Sequence, residues 1–478
     1  MGGFLIIDIG TSSIRVTVSG ENMTAQDSLS VKRIAPPRFD ISAEWQIIAD
    51  MIRQMTSRGH KITGVAAISL LGWVAVDAQM QPVSYAHTYM DQQNELLEIL
   101  KEHFDHHQFF NITGRRYSAE LGGLKLLRLK KDSPELYQNT ACFFSVKDFI
   151  NSYLTGVCAM DHCMACFTGL WDIRAYAWNK PIADALKIDI DKLPRVVSPG
   201  HIIGYITPSA SEYLGLPIGI PVVAGVSDGS AGILGAGGIH PKDAVSVMGT
   251  TDVFYVITDQ PVSDASCNCC INHHPLPGLW MMGGPTGISG GALDWLVSFL
   301  GNAYSLAELE SLAADLRPGS DGVLFIPSLT GERTPFWQPD VRGSIVGLQP
   351  EHHKQHVYRA AMEANGYTIR RISELCVDAG ISIEKIIAIG GGAKSDLWLK
   401  IKSDITGTCI VTSPILEATT RGGAILTHMA LGGELKDIPP LLCFDPIIPN
   451  PMTHELYATP YWRYLRLLEL LGSWYAEG

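Results

Sequence analysis

No apolar run in the chain approaches the roughly 20 uninterrupted residues of a membrane-spanning helix. The N-terminal apolar stretch is broken by Asp8 before it reaches the length of a signal-peptide core. Basic residues are scarce beside acidic ones, 36 against 48, and the formal charge of -12 argues against nonspecific binding to nucleic acid or to an anionic membrane surface. An anionic ligand therefore needs a local site. Low-complexity segments are missing, as is the G-x-G-x-x-G dinucleotide fingerprint. The expectation is a cytoplasmic protein with neither nucleic-acid nor membrane partners.

Cysteine is not short, at ten residues, but its placement in apolar settings fits buried thiols in a reducing compartment better than a disulfide framework. Two groups invite a metal. "CNCCINHH" gathers Cys267, Cys269, Cys270, His273 and His274, and "HCMAC" sets Cys163 and Cys166 at C-x-x-C spacing. Neither completes a four-ligand set with paired spacing, so small buried thiols are the simpler reading.

At 478 residues the chain exceeds one core, and two domains of about 200 to 250 residues follow. Strand and helix periods alternate throughout, the mark of an α/β protein. In "FLIIDIGTSS", Phe4 to Ser13, an acid interrupts a strand that reads as buried on both faces. The turn Gly10, Thr11, Ser12, Ser13 and the returning "IRVTVSG" complete a β-hairpin. Turn donors beside an acid suit a phosphate with a metal ion, while an Asx-type cap of the same turn is the plainer alternative. "AVSVMGTTDVFYVIT", Ala244 to Thr258, repeats the pattern with Gly249, Thr250 and Thr251. Two such hairpins, each early in its half, point to a duplicated domain, and the Gly-rich Leu234 to Asp243 marks the boundary and a candidate hinge.

"PVVAGVSDGSAGILGAG" ends a strand at Gly225 and places Asp228 at a small-residue helix start, as a general base or a helix N-cap. "IIAIGGGAKSDLWLKI" runs a strand into Gly390, Gly391 and Gly392, where a flat ligand or phosphate can approach the backbone. Apolar spacing predicts a long helix over about 350–379, closed by Gly380, and a C-terminal helix whose Leu and Trp stripe is core.

The ordered set "DIGTSS", "GVSDGSAGILGAG", "SVMGTT", "GERTPFWQPDVRGSIVGL" and "IGGGAKSDLW", together with "GSIVGLQPEHHKQHVYRAAMEA", resembles the FGGY family of carbohydrate kinases over nearly the entire chain. The resemblance implies two actin-like (ribonuclease-H-like) α/β domains around a central cleft. Residues 1–239 would bind sugar and 240–478 nucleotide. It implies ATP and Mg2+ as cofactors, with Asp8 and Asp228 toward the metal. By the same resemblance Gly10, Thr11, Ser12, Ser13 and Arg15 would form a first phosphate loop, and Gly249, Thr250 and Thr251 a second. Gly391, Gly392, Ala393 and Ser395 would line an adenosine pocket. Asp228 would be the base for the sugar hydroxyl, for which an ordinary carboxylate pKa suffices.

On the sugar side the resemblance points to Gly72, Trp73, Asp91 and Asp228, with Asp77 ending a strand. Trp73 is either a wall of the sugar site or core. Gln93 stands where many relatives carry arginine, Leu70-Leu71 where xylulokinases have Met-His, and Arg128 where tryptophan is typical. "GERTPFW" looks most like the pentulose-kinase and gluconate-kinase branches, so a ketopentose such as xylulose leads, with gluconate, glycerol or erythritol as alternatives. An actin-like ATPase coupled to a protein partner and a sugar sensor without catalysis are the competing classes. A homodimer is expected only because dimers are common among soluble enzymes.

Overall fold

The computed structural model describes every residue except Met1, Pro414, Leu416, Leu442, Cys443 and Gly478. The chain divides into two compact units: Met1–Gly237 with Asn272–Trp280 and Glu417–Pro440, and Gly238–Ile271 with Met281–Leu416 and Leu441–Gly478.

The first unit is built on a six-stranded sheet in the order Ile202–Tyr205, Pro221–Ser227, Ile62–Ser69, Gly3–Ile9, Ser13–Gly20, Ala25–Lys32. Gly3–Ile9 is central, and Leu5, Ile6, Ile7 and Ile9 are fully buried, as a strand covered on both faces requires. It pairs antiparallel with Ser13–Gly20, which forms the expected hairpin, and parallel with Ile62–Ser69. A second sheet orders Arg38–Phe39, Ala86–Thr88, Gly72–Val76 and Cys142–Ser145.

The sequence places one boundary near residue 239. By contact, a much later segment also belongs to the first unit, because two helices meet there almost backbone to backbone. A Cβ on Gly235 would lie 1.8 Å from the Ala418 carbonyl oxygen, and one on Gly422 2.1 Å from that of Ala231. Only glycine permits this approach of helices Asp228–Gly235 and Ala418–Ala430.

The second unit repeats the plan. Its sheet runs Cys270–His273, Trp280–Ile288, Thr251–Thr258, Asp243–Met248, Lys385–Ile389, Ile410–Thr412, the end of the first of these strands and the start of the second falling in the Asn272–Trp280 segment that belongs to the first unit. Asp243–Met248 again pairs antiparallel with the strand that follows it and parallel with a strand reached by a crossover.

The long helix spans Lys354–Asp378, starting later than the sequence predicts because His352 closes a turn on Gln349 and the Nδ1 of His356 accepts from the backbone N–H of His353. Gly380, at φ +86°, follows its end. The C-terminal stripe is only half core. In helix Ala458–Ala476, Tyr461, Tyr464 and Leu468 are buried, but Trp462 and Trp474 are 65% and 71% exposed. The helical period is right, and the tryptophans fall on the opposite face.

Cys142 and Cys158 form a disulfide, whereas Cys163, Cys166, Cys269, Cys270 and Cys376 are buried free thiols and Cys267 is buried as well. No described helix is long and apolar enough to cross a membrane.

Candidate functional site

Hairpin register sets Asp8 directly opposite Arg15 in the first unit. The Asp8 carboxyl is sunk among buried strand residues, and its Oδ1 has no hydrogen-bond partner. Asp228 arrives on the strand Pro221–Ser227, which shifts register between Val223 and Val226. Gly225 makes the shift possible, with φ +70° and no room for a Cβ, which would lie 1.8 Å from the Ala67 carbonyl oxygen. The helix N-cap is Ser227, whose hydroxyl oxygen accepts from the Ser230 N–H, so Asp228 is released from that duty. Asp228 Oδ1 accepts one bond, from the Gly229 N–H at 2.7 Å.

Burial raises the Asp228 carboxyl to about 6, although its backbone hydrogen bonds oppose the rise. An ordinary carboxylate pKa would suffice for a general base, and desolvation lifts this one above that range. Asp8 rises further, to about 7, first through burial and then through the negative charge of Asp228, with Glu417 adding and Arg15 opposing. Arg15 lies 3.5 Å from Glu417, a partner that sequence reasoning did not supply. Two half-buried acids close enough to raise one another's cost of ionisation, one with an orphaned oxygen, form a site short of positive charge. One or two carboxylates are the usual protein contribution to a hydrated magnesium ion, so the donor set fits that group.

The turn of the first hairpin closes with a Gly10 N–H bond to the Ser13 carbonyl at 2.9 Å and leaves Thr11, Ser12 and Ser13 partly or fully exposed. Its twin in the second unit closes with Gly249 N–H to the Thr251 carbonyl at 3.0 Å, and Gly249, Thr250 and Thr251 are exposed. The second turn is also braced in a way the sequence did not announce. N–H groups of Ser289, Gly290 and Gly291 donate to the carbonyls of Gly249 and Thr250, stitching the start of helix Gly290–Phe299 to the turn.

A cavity of about 590 Å³ in the second unit is lined by Gly390, Gly391, Ala393, Thr412, Ser413 and Phe444, among others. Gly392 and Ser395 are not among its lining residues, which departs from the expected set. A Cβ on Gly392 would press on Trp398 and Met248, and the Ser395 side chain is engaged in capping helix Asp396–Thr406 and donating to Glu310 at 2.7 Å.

The sugar-side residues are all in the first unit. Gly72 is buried against Val146, and Trp73 is 1% exposed, stacked near Phe143 and packed on Gly122. Of the two readings left open for Trp73, the structure shows core. Asp77 accepts from the backbone N–H groups of Gln79 and Gln81, an ordinary loop acid. Asp91 receives Arg38 at 3.1 and 3.3 Å and His87 at 2.6 Å, and Arg38 and His87 face each other across a strand pair. Burial pushes Asp91 up, but the bonds from His87 and Arg38 outweigh it and hold the carboxyl below its usual range. Gln93 is buried, donates to the Asp91 carbonyl at 3.2 Å and accepts from Arg128 Nε at 2.8 Å. Two of the three departures named above, Gln93 and Arg128, are thus one contact.

Among the described residues no group of three or more His, Cys, Asp or Glu is arranged to hold a metal ion. His273 accepts instead from the Trp171 indole at 3.1 Å, and Cys163 and Cys166 are buried beside His162.

Residues 4–235 match the N-terminal domain of the FGGY family of carbohydrate kinases and 244–431 its C-terminal domain. The chain is 30% identical to a xylulose kinase of Staphylococcus epidermidis, covering 95% of this chain and 94% of that one. It is 27% identical to a gluconokinase of Bacillus subtilis over 89% and 87% of the two chains. The fold superposes on the ligand-bound xylulose kinase of Lactobacillus acidophilus with a TM-score of 0.93 at 23% identity, covering 100% of each chain. The two domain matches together span most of the chain, which belongs to the FGGY family of carbohydrate kinases.

Proposed function

We propose that this kinase transfers the γ-phosphate of ATP to a hydroxyl of a ketopentose such as xylulose. The observation that carries the reading is the Asp8–Asp228 pair, two half-buried acids whose raised pKa values and orphaned oxygen call for a cation and a proton donor. Asp228 takes the proton of the attacking hydroxyl as the new oxygen–phosphorus bond forms and the bond to the ADP oxygen breaks. With its carboxyl near 6, Asp228 is ionised at neutral pH and is a somewhat stronger base than an exposed aspartate.

Asp8, with Asp228, would hold hydrated Mg2+, which when bound supplies positive charge to the phosphates. Arg15 and the turn Gly10–Ser13 contribute further donors in the first unit. In the second, Gly249–Thr251 would hold phosphate, and the cavity at Gly391 and Ala393 would take the adenosine. Asp91, held ionised by Arg38 and His87, retains lone pairs for sugar hydroxyls. Gluconate is the second reading, favoured by the gluconokinase relative. Family membership weighs against a partner-coupled ATPase and a silent sensor.

The test is ADP release with ATP and magnesium across ketopentoses, aldoses, polyols and aldonates. One sugar should stimulate release, and Asp228→Asn should lower that turnover at least ~100-fold. Maximal stimulation by gluconate would replace the ketopentose, and near-normal turnover of the Asn variant would remove Asp228 as the base.

A further inference from the structure

Lys402 and Asp252 form an ion pair in the second unit at 2.7 Å, with both side chains 0% exposed. Ser246 completes it: its hydroxyl lies 2.9 and 3.0 Å from the two carboxylate oxygens of Asp252, and the Lys402 ammonium reaches the same hydroxyl at 3.0 Å. Desolvation of two such charges is costly, and a well-packed apolar pair of similar size is often as stable or more so. Where a buried pair is kept, fixing register is its best-attested use.

Its connections show what is registered. Asp252 directly follows Thr250 and Thr251, and its backbone carbonyl accepts from Thr286 Oγ1 on the strand leading into Ser289–Gly291, the segment that braces the Gly249–Thr251 turn. Lys402 stands on helix Asp396–Thr406, whose first residue lines the 590 Å³ cavity. On the same helix, Trp398 packs against Gly392, between cavity-lining Gly391 and Ala393.

We infer that the Lys402–Asp252 pair is a positioning clamp that sets the phosphate turn at a fixed span from the nucleoside cavity, so that a triphosphate is gripped at both ends. This rests on reading Gly249–Thr251 as a phosphate loop and the cavity as the nucleoside site. The pair touches no ligand itself and acts through the turn and the helix.

Calorimetric titration of the full chain with magnesium and the β,γ-imido analogue of ATP, beside titration with adenosine, tests the clamp without reference to any sugar. Lys402→Met should weaken binding of the analogue tenfold or more while adenosine affinity stays within twofold. The double variant Lys402→Met/Asp252→Leu removes both buried charges. It should recover the wild-type melting temperature yet keep the weakened analogue binding, and it preserves the test should the single variant not fold. Wild-type analogue affinity in a folded variant overturns the clamp, as does an equal loss for adenosine. Failure of the wild-type protein to bind the analogue overturns the phosphate-loop reading, and the clamp with it.

Discussion

Glu332 shows how a single buried carboxyl leaves a trace in stability. It is 5% exposed and paired with the Ser328 hydroxyl, and burial raises it to about 7 against the partial opposition of that bond. Because the folded value lies above the unfolded one, the contribution of this group is fully present below about pH 4.5 and is lost as pH rises through about 7. Glu332→Gln keeps an acceptor for Ser328 and abolishes the ionisation. Denaturant unfolding should find it more stable than wild type at pH 8, by about 3 kcal/mol at most, with the difference vanishing near pH 4.5. A constant difference across that range would exclude Glu332 as its source. Asp91 has the opposite sign, since its partners hold it low and its contribution is lost as pH falls through the depressed value.

Between elements, glycines decide how closely helices and strands approach. A methyl group at Gly422 must displace the backbone of Ala231, a carbonyl rather than a yielding side-chain end. Gly422→Ala should cost about 3 kcal/mol or more in chemical denaturation, at the upper end for overpacking, despite alanine's better helix propensity. Gly380→Ala is the contrast: nothing lies within 4 Å of its Cβ position, so only its positive φ is strained and a loss of about 1 kcal/mol is expected. Both strand–turn–strand elements were legible in the sequence because an apolar run, a Gly-Thr turn and an apolar return follow one another without a gap. The braces around them were not. Ser289–Gly291 meets Gly249 and Thr250 only after a hairpin and a further strand intervene, and no local period encodes that meeting.

For the whole molecule, the two units are not two consecutive stretches of chain. Helix Ala418–Ala430 packs on helix Asp228–Gly235 and against the strands Gly3–Ile9 and Ile62–Ser69. A fragment ending at residue 239 would therefore leave the apolar covering of its central sheet unmade. Expressed alone, 1–239 should lack a cooperative thermal transition and be cleaved rapidly by protease under conditions where the full chain resists. A fragment with the full chain's protection would show that the late helix is dispensable. The excess of acid over base belongs to this scale too. It disfavours loose anion binding across the surface.

The sequence by itself determined the family, the α/β plan, the paired Gly-Thr turns and the presence of Asp8 and Asp228 in strand-end settings, because each is carried by residues adjacent in the chain. Only tertiary structure decided which partners those residues have. Asp91 is met by Arg38 from 53 positions away, Gln93 by Arg128, Asp252 by Lys402 and Arg15 by Glu417. It also assigned Trp73 to the core and Trp462 and Trp474 to the surface, although all three are the same residue in apolar surroundings of sequence. The physical reason is common to these cases. Periodicity reports which face of an element a residue occupies, whereas burial, charge pairing and pKa depend on what distant segment the fold lays against that face.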